Sequence, residues 1–270
     1  MFRVGCKFAL LLVVAGAGCR AKPAPILLDT RGVKPAVNYD ALAAVLASAV
    51  TAKGRIDGEA LKNSAGTLEA QLKLLAVTGP RATPGEFPTD GDVLVYWYNA
   101  RAAWSMKLLL ANRCPKEIAP GDLYDRPFPL DAREMTLRGI DAILAKGADF
   151  RGAVAAPGVT THHARLPKRP FTPQSVRRCV GERFAAFLND PARFVIDIRK
   201  KRIPVPPVLW QFRRRLIQAH HARYGIEGAT LATALLPHVT GSPHRRLQDA
   251  IGYRLVEARP KMLSTCVEGN

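Results

Sequence analysis

The sequence predicts an α+β fold: a single, mainly helical domain around a small antiparallel sheet, with one helix buried at its centre. Segments with helical spacing of apolar residues outnumber strand-like segments, and the two kinds do not alternate regularly along the chain. Apolar residues nearly encircle the stretch from Asp90 to Asn112, which is typical of a helix at the centre of a domain. About 230 residues from Asn38 onward are enough for one large domain with its own core.

Helical periodicity supports each predicted helix in turn. Between Tyr39 and Val50, and again between Gly58 and Val77, leucines and valines recur at helical spacing. Thr136 is a suitable N-cap for a helix over Met135–Leu144. Pro173 stands at the favoured first position of the next helix. The remaining predicted helices are Leu209–Tyr224, Ala229–Leu236 and Ser242–Gly252.

Short apolar runs bounded by turn residues predict the strands. Gly152–Ala156 is predicted to be a buried strand. Arg193–Ile198 and Ile203–Val205 flank the basic run Arg199–Arg202 and are predicted to form a hairpin. Prolines confine its second strand to a sheet edge, because proline cannot donate a ladder hydrogen bond. Tyr253–Glu257 is the predicted closing strand.

The N-terminus carries the pattern of an export signal. Arg3 and Lys7 precede a short apolar run, and small residues follow up to Cys19, so residues 1–19 are predicted to be a signal peptide. The apolar run is too short to span a bilayer, which needs about 20 residues. The stretch Ala15–Cys19 resembles a bacterial lipobox, with Cys19 as the lipidated residue. A soluble secreted protein and an uncleaved anchor are the alternatives.

Residues 20–37 are rich in proline and alanine and lack periodicity, so they are predicted to be a tether to the domain over residues 38–270. Arg20 follows Cys19, where an inner-membrane retention signal would place aspartate. The predicted location is therefore the outer membrane, as a lipoprotein that faces the periplasm or the cell surface. The predicted partner is the membrane, through an N-terminal lipid anchor.

The chain is strongly basic, and removal of the signal lowers its formal net charge only from +18 to +16. Such a balance suits nucleic acid, anionic lipid or an acidic polymer, or it reflects a solvated basic surface. Nucleic acid is disfavoured, because no aromatic residues interleave with the basic clusters and because the chain is exported. Convergence of two of the clusters Arg199–Arg202, Arg213–Arg215 and Arg245–Arg246 would create a surface for an anionic envelope component.

No sequence pattern indicates a metal or a cofactor. Cys114, Cys179 and Cys266 lack the CxxC spacing of structural zinc sites, and three residues allow one disulfide and one free thiol in three pairings. His220, His238 and His244 have no metal-site spacing, and neither a GxSxG elbow nor a glycine-rich phosphate loop is present.

Several segments resemble one bacterial family. The helix segment YWYNARAA, Tyr96–Ala103, resembles the FWINAYNA-like pattern of the family called domain of unknown function 547. Further similar segments follow the family's order and together cover about Asn38–Thr265: Asn38–Asp40, Gly54–Asp57, Met135–Lys146 and Phe194–Phe212. The resemblance implies an α+β domain with a central helix.

The resemblance also implies a site that is altered in this chain. Typical members have a CGxxSCPPL-like segment and a histidine on the helix that corresponds to Met135–Lys146, a pairing that suits a thiolate and its base. Here Pro157 stands where the first cysteine would be, His162 stands near the second, and Ala142 replaces the histidine. Ala102 replaces the second asparagine of the central helix.

The remaining candidates for chemistry are His162, His163, Asp141 and Asn99. Adjacent residues in an extended segment point to opposite sides, so one of the two histidines would act with Asn99 or Asp141 as a general base near neutral pH. The alternative is a loop whose histidines hydrogen-bond to local carbonyls. Asn99 lies in a buried helix, so its amide must find partners there.

Because the cysteine and the helix histidine are missing, the sequence predicts a binding or scaffolding module with a degenerate form of this domain. The alternative is a hydrolase or transferase that uses His162 or His163 with Asp141 and Asn99 on an exported substrate. An anion-binding surface protein is the third hypothesis.

Overall fold

The computed structural model describes residues 23–113, 120–146, 151–258 and 264–265. The helices among these residues are α1 (Asp40–Ala49), α2 (Gly58–Asn63), α3 (Ala65–Val77), α4 (Asp90–Ala111), α5 (Pro120–Tyr124), α6 (Leu137–Lys146), α7 (Arg151–Ala155), α8 (Pro173–Asn189), α9 (Pro207–Tyr224), α10 (Leu231–Leu235) and α11 (Gly241–Asp249). The strands are β1 (Ile56–Asp57), β2 (Phe128–Leu130), β3 (Arg133–Met135), β4 (Arg202–Val205), β5 (Arg254–Glu257) and β6 (Ser264–Thr265).

Helix α4 is the central element, and α3, α6 and α8 pack around it. It begins at a capping box in which Thr89 and Asp92 each bind the other's backbone N–H. Its middle turns are buried on every side, and Trp104 stacks on Phe128 with the ring centroids 4.0 Å apart. A mainly helical α+β fold with a central buried helix is thus confirmed.

The sheets among the described residues are small, with two strands each. Strands β2 and β3 form an antiparallel hairpin, whereas β1 pairs with β6 and β4 pairs with β5 in parallel. The β4–β5 register places Arg202 opposite Arg254 and Val205 opposite Glu257. Because the pair is parallel, the turns before both strands lie at one end and the residues after them lie at the other.

Three sequence predictions were wrong. Gly152–Ala156 contributes to α7 instead of a strand, because a five-residue apolar run fits a buried helix equally well and here packs against α8. The predicted hairpin is limited to one bridge between Asp197 and Arg202, and β4 pairs with β5 instead. The predicted helix Gly58–Val77 is interrupted at Ser64, whose hydroxyl donates to the carbonyl of Ala60 (2.8 Å).

The residues predicted to be a tether are described from position 23 onward, and they lie against the domain. Ile26 is buried and its N–H donates to the carbonyl of Pro127 (2.8 Å). Ten residues further along, the N–H of Ala36 donates to the hydroxyl of Thr78 (3.0 Å). The signal segment and Cys19 lie outside the described residues.

Candidate functional site

His163 and Asp141 meet beside a cavity of about 390 Å³. Nε2 of His163 lies 3.3 Å from Oδ2 of Asp141, which α6 presents from its second turn. The cavity is lined by Tyr124, Arg138, Asp141, His162, His163, Pro207, Val208, Gln211, Glu257 and Ala258. Its size is within the range of about 300 to 1,000 Å³ that is usual for small-molecule sites.

Arg101 closes the inner side of this pair. It projects from the middle of α4 and is fully buried, and Nε and Nη2 bind the two oxygens of Asp141 at 2.6 and 3.1 Å. This two-pronged geometry is the strong form of a charge-assisted hydrogen bond. Arg101 therefore already neutralises the charge of Asp141, independently of His163.

Arginine side chains also hold the segment from Ala155 to Arg165, which we call the tethered loop. Nearly all of this loop is buried although it has little regular structure, so its backbone carbonyls need internal partners. Three guanidinium groups donate to these carbonyls. Arg183 binds the carbonyls of Ala155 and Arg165, Arg101 binds that of Pro157, and Arg193 binds those of Thr160 and His163. Hydrogen bonds from three arginines therefore fix the backbone around the two histidines.

Gly158 allows Arg101 and His163 to approach the tethered loop. A Cβ at this position would lie 2.8 Å from Nη1 of Arg101 and 2.9 Å from Cβ of His163, closer than such atoms pack. Its N–H donates to the carbonyl of Ala164 (3.0 Å), which closes the loop on itself. A glycine is thus required where the arginine passes behind the backbone.

Tyr124 and Thr160 complete the wall next to His163. The two hydroxyls lie 2.9 Å apart, and the tyrosine ring is 5.7 Å from the imidazole, centroid to centroid. Burial raises the pKa of Tyr124 to about 12, so its hydroxyl stays neutral. Oγ1 of Thr160 also accepts the backbone N–H of His162 (3.3 Å).

The electrostatics follow from burial and from Arg101. Burial alone would raise the pKa of Asp141, but the Arg101 charge and the contacts with His163 outweigh burial and lower the pKa to about 2. For His163, burial and then the Arg101 charge lower the pKa to about 4, and Asp141 only partly opposes them. At neutral pH the site therefore holds a carboxylate, a guanidinium and a neutral imidazole.

A neutral imidazole that donates Nε2–H to Asp141 leaves Nδ1 as an acceptor. Within the described part of the chain, no hydrogen bond to Nδ1 of His163 is present. His163 therefore offers one fixed acceptor next to the cavity.

The structure brings only some of the predicted residues together. His162, His163 and Asp141 all line the cavity, and both histidines are buried. Asn99 does not line it: Nδ2 donates to the carbonyl of Phe171 (3.1 Å), and Oδ1 accepts the Phe171 N–H (2.8 Å). The Asn99 amide thus fixes the segment that precedes α8 and does not position the histidines.

Sequence reasoning missed the arginines that organise the site. Arg101 is the only charged residue between Asp92 and Lys107 in the most buried helix, and that pattern was the available signal, because a buried guanidinium must be paired. Arg183 and Arg193 gave no comparable signal, since Glu182 directly precedes the first and Asp190 lies three positions before the second. Gln211 and Glu257 reach the cavity only through the packing of α9 and β5.

The other sequence candidates lie elsewhere. No group of three metal-binding side chains occurs among the described residues, and no helix in that part of the chain is long and apolar enough to span a bilayer. Cys179 is a half-buried free thiol, whereas Cys114 and Cys266 fall outside the described ranges. Of the basic clusters, Arg213 stacks on Trp210 and Arg215 donates to the carbonyl of Ala145.

Comparisons of the chain with protein-family models, with curated proteins and with solved structures find no match. The resemblance to domain of unknown function 547 therefore stays a prediction that rests on the segments quoted above.

Proposed function

We propose that this chain is an exported, lipid-anchored binding module, and that the cavity beside His163 holds a ligand without changing it chemically. The observation that carries this proposal is the pairing of Arg101 with both oxygens of Asp141. In a catalytic His–Asp pair, the aspartate stabilises the imidazolium that forms when histidine takes a proton. Here the adjacent guanidinium cancels that stabilisation.

The magnitude of the pKa shift favours binding over general-base catalysis. A general base works best when its pKa is near the operating pH. With a pKa of about 4, His163 lies far below neutrality. Relative to a base of pKa 7, proton uptake by such a group is less favourable by about 4 kcal/mol. His163 therefore suits a hydrogen-bond acceptor better than a proton acceptor.

No serine, threonine or cysteine side chain of the described residues lines the cavity. Its polar groups include several hydrogen-bonding partners, among them the carboxylate of Glu257, the amide of Gln211 and the imidazole of His163. Pro207 and Val208 add an apolar wall. Such a combination holds and orients a small polar molecule.

Export and lipidation are supported by the residues before position 20. The basic start, the short apolar run and the small residues up to Cys19 form the pattern of a lipoprotein signal. The buried position of Ile26 would keep the domain within a few residues of the lipid. Metabolic labelling with an alkyne fatty acid tests this part: we expect label on the full chain and none on the Cys19→Ser variant.

The test of binding against catalysis is the titration of the His163 imidazole. Side-chain NMR of the full chain, with the His163→Gln variant to identify the resonance, should show a midpoint near pH 4 and a proton on Nε2 at pH 7. A midpoint between 6 and 7 would contradict the proposal, because His163 would then be poised as a base.

Binding itself is tested by thermal unfolding with four envelope-type probes: N-acetylglucosamine, muramyl dipeptide, glycerol 3-phosphate and spermidine. A probe at 100 times its Kd stabilises by about 2.7 kcal/mol. That corresponds to roughly 5 to 10 °C in a domain of this size. For the neutral N-acetylglucosamine and the cationic spermidine, the shift should shrink in Glu257→Gln and persist in Glu227→Gln, a matched change at an exposed position away from the cavity. Mass spectrometry should recover the probe unchanged.

The contact between His163 and Asp141 beside an open cavity favours hydrolase or transferase chemistry as the second candidate function. In that case water or a substrate hydroxyl would be the nucleophile, and Nδ1 of His163 would take its proton. A product that forms from any of the four probes, at a rate lowered in His163→Gln, would establish this candidate instead.

A further inference from the structure

Two adjacent turns bring basic and aliphatic side chains to one end of the β4–β5 pair. The first turn, Ile198–Arg202, is closed by hydrogen bonds between Asp197 and Arg202 and from the Lys201 N–H to the Ile198 carbonyl. The second turn, Ile251–Arg254, leads into β5. The Arg254 N–H donates to the Lys201 carbonyl (3.1 Å), so the two turns lie side by side.

We call this region the paired-turn surface and define it by Ile198, Arg199, Lys200, Lys201, Ile251 and Arg254. Arg199, Lys200, Lys201 and Arg254 are exposed and have no acidic partner in the described ranges. Asp197, which precedes the first turn, binds the Lys200 N–H (3.1 Å) and Arg202 (3.0 Å), and these contacts together with the Lys200 charge lower its pKa. Four exposed cationic side chains without an ion pair among the described residues therefore lie at one end of a small sheet.

The aliphatic members distinguish this surface from a general basic face. Ile198 is 52% exposed and Ile251 is 46% exposed, although isoleucine is among the most often buried residues. A soluble polyanion would gain nothing from these side chains. A bilayer surface accommodates both features, because phosphates meet the cations and aliphatic tips enter the boundary between headgroups and acyl chains.

We propose that the paired-turn surface binds the surface of an anionic lipid bilayer. Arg199, Lys200, Lys201 and Arg254 contact the headgroups, while Ile198 and Ile251 insert between them. This function is separate from ligand binding in the cavity and does not depend on it. It adds a second membrane contact to a lipid anchor, and two signals are what stable membrane attachment requires.

The geometry connects this surface with the cavity. Four residues that line the cavity lie where the two strands end: Pro207 and Val208 come after β4, Glu257 is the last residue of β5, and Ala258 comes after it. The cavity therefore lies at the opposite end of the same strand pair. Four residues of strand span about 10 to 13 Å. A docked protein would thus hold its cavity a short distance from the headgroups.

The experiment is vesicle co-sedimentation of the full chain with Cys19→Ser, which removes the lipid attachment site. Vesicles of phosphatidylethanolamine with 30% phosphatidylglycerol are compared with pure phosphatidylcholine vesicles. Each cation near an anionic surface contributes about fivefold in partitioning. Lys200→Gln with Lys201→Gln should therefore lower binding to the anionic vesicles roughly 30-fold. Arg177→Gln with Arg178→Gln, an equal charge change on α8, should leave it nearly unchanged.

A second comparison separates a bilayer from a soluble polyanion. Ile198→Ser should lower binding to anionic vesicles roughly threefold to tenfold, from the loss of partly buried apolar surface. Ile226→Ser is the control, because Ile226 is similarly exposed (44%) but lies outside the paired-turn surface, two residues after the last residue of α9. Binding of dextran sulfate should not respond to either serine variant.

Three results would overturn the proposal: no preference for anionic vesicles, equal losses in the two pairs of charge variants, or an unchanged affinity for vesicles in Ile198→Ser. The last result would assign the surface to soluble polyanions instead. All of these variants replace exposed side chains, so unfolding curves that superimpose on the parent protein verify that the fold is intact.

Discussion

Asp131 and Asp141 are two carboxylates that serve different purposes. Asp131 is fully buried, and its Oδ1 accepts the backbone N–H groups of Arg81 and Ala82, both at 2.8 Å. Asp141 is 14% exposed, binds a guanidinium and an imidazole, and lines a cavity. Asp131 thus closes a loop through backbone hydrogen bonds, whereas Asp141 supports the tethered loop beside the cavity.

Each carboxylate region depends on a glycine that allows a close approach. A Cβ on Gly79 would lie 2.8 Å from Cβ of Asp131, and a Cβ on Gly158 would lie 2.8 Å from Nη1 of Arg101. The carboxylate atoms of Asp131 would lie closer still to the Gly79 Cβ, so neither place has room for a side chain and Gly79 is the tighter of the two. The difference lies in what binds the carboxylate: two backbone N–H groups at 2.8 Å with Arg133 further away (3.7 Å) at Asp131, and a buried arginine in two-pronged contact at Asp141. Only the second arrangement leaves groups free to face a ligand.

The largest expected effect comes from removing that arginine. Arg101→Met leaves Asp141 without its charge partner and the Pro157 carbonyl without its donor, so we expect unfolding to become easier by about 3 to 5 kcal/mol. Urea unfolding measures the loss. Arg138→Met is the control, since its pair with Asp125 is exposed and should be worth less than about 1 kcal/mol.

A double variant tests the cause of this loss. In Arg101→Met with Asp141→Leu no uncompensated charge remains, and buried ion pairs can often be replaced by apolar residues at little cost. Most of the stability should therefore return. If the double variant is as unstable as Arg101→Met alone, the tether to Pro157 is the dominant contribution instead of the ion pair.

Asp131→Ala should be nearly as costly, at about 3 kcal/mol, because two backbone N–H groups lose a charged acceptor. Asp131 also has a left-handed backbone (φ 56°), which aspartate and asparagine tolerate better than alanine does. Asp131→Asn keeps an acceptor oxygen and this tolerance, so it should cost less than about 1 kcal/mol. Thermal unfolding compares the two; equal losses would show that charge is the decisive property.

The two regions also differ in how far the sequence could predict them. The central helix is predictable because apolar residues surround it, and the sequence predicts that one of His162 and His163 lies beside Asp141 or Asn99. The loop at Asp131 carried no signal, since β2 and β3 are three residues each and their turn has left-handed Asp131 and Ala132. The role of Asn99 was not predictable either, because an amide reveals its need for partners but not which backbone supplies them.

Acid should weaken the region around Asp141 in a way that depends on His163. The pKa of His163 is lowered from 6.5 to about 4, first by burial and then by Arg101. Between these values the unfolded chain binds more protons than the folded chain, so stability falls as the pH falls from about 6.5 to 4. The expected loss from this residue is about 2 to 3 kcal/mol.

Urea unfolding between pH 7 and pH 4 measures this dependence. His163→Gln should flatten the curve, whereas His221→Gln, at an exposed histidine of α9, should leave it unchanged. Below this window, the lowered pKa of Asp141 causes a further loss between about 3.8 and 2, which His163→Gln should largely retain because Arg101 remains. A parent curve that is flat from pH 6.5 to 4 would contradict the neutral, buried imidazole.

The smallest expected effect tests whether the tight backbone at the cavity is required. Gly158→Ala places a methyl group against Arg101 and His163, and overpacking of this kind costs about 1 to 3 kcal/mol. Gly181→Ala, in the middle of α8, meets only Nη1 of Arg151 at 3.9 Å and should instead stabilise by about 0.5 to 1 kcal/mol. Opposite signs for one chemical change would show that Gly158 is present for the close approach of Arg101. Equal signs would mean that the tethered loop can shift, and the imidazole geometry would then be adjustable.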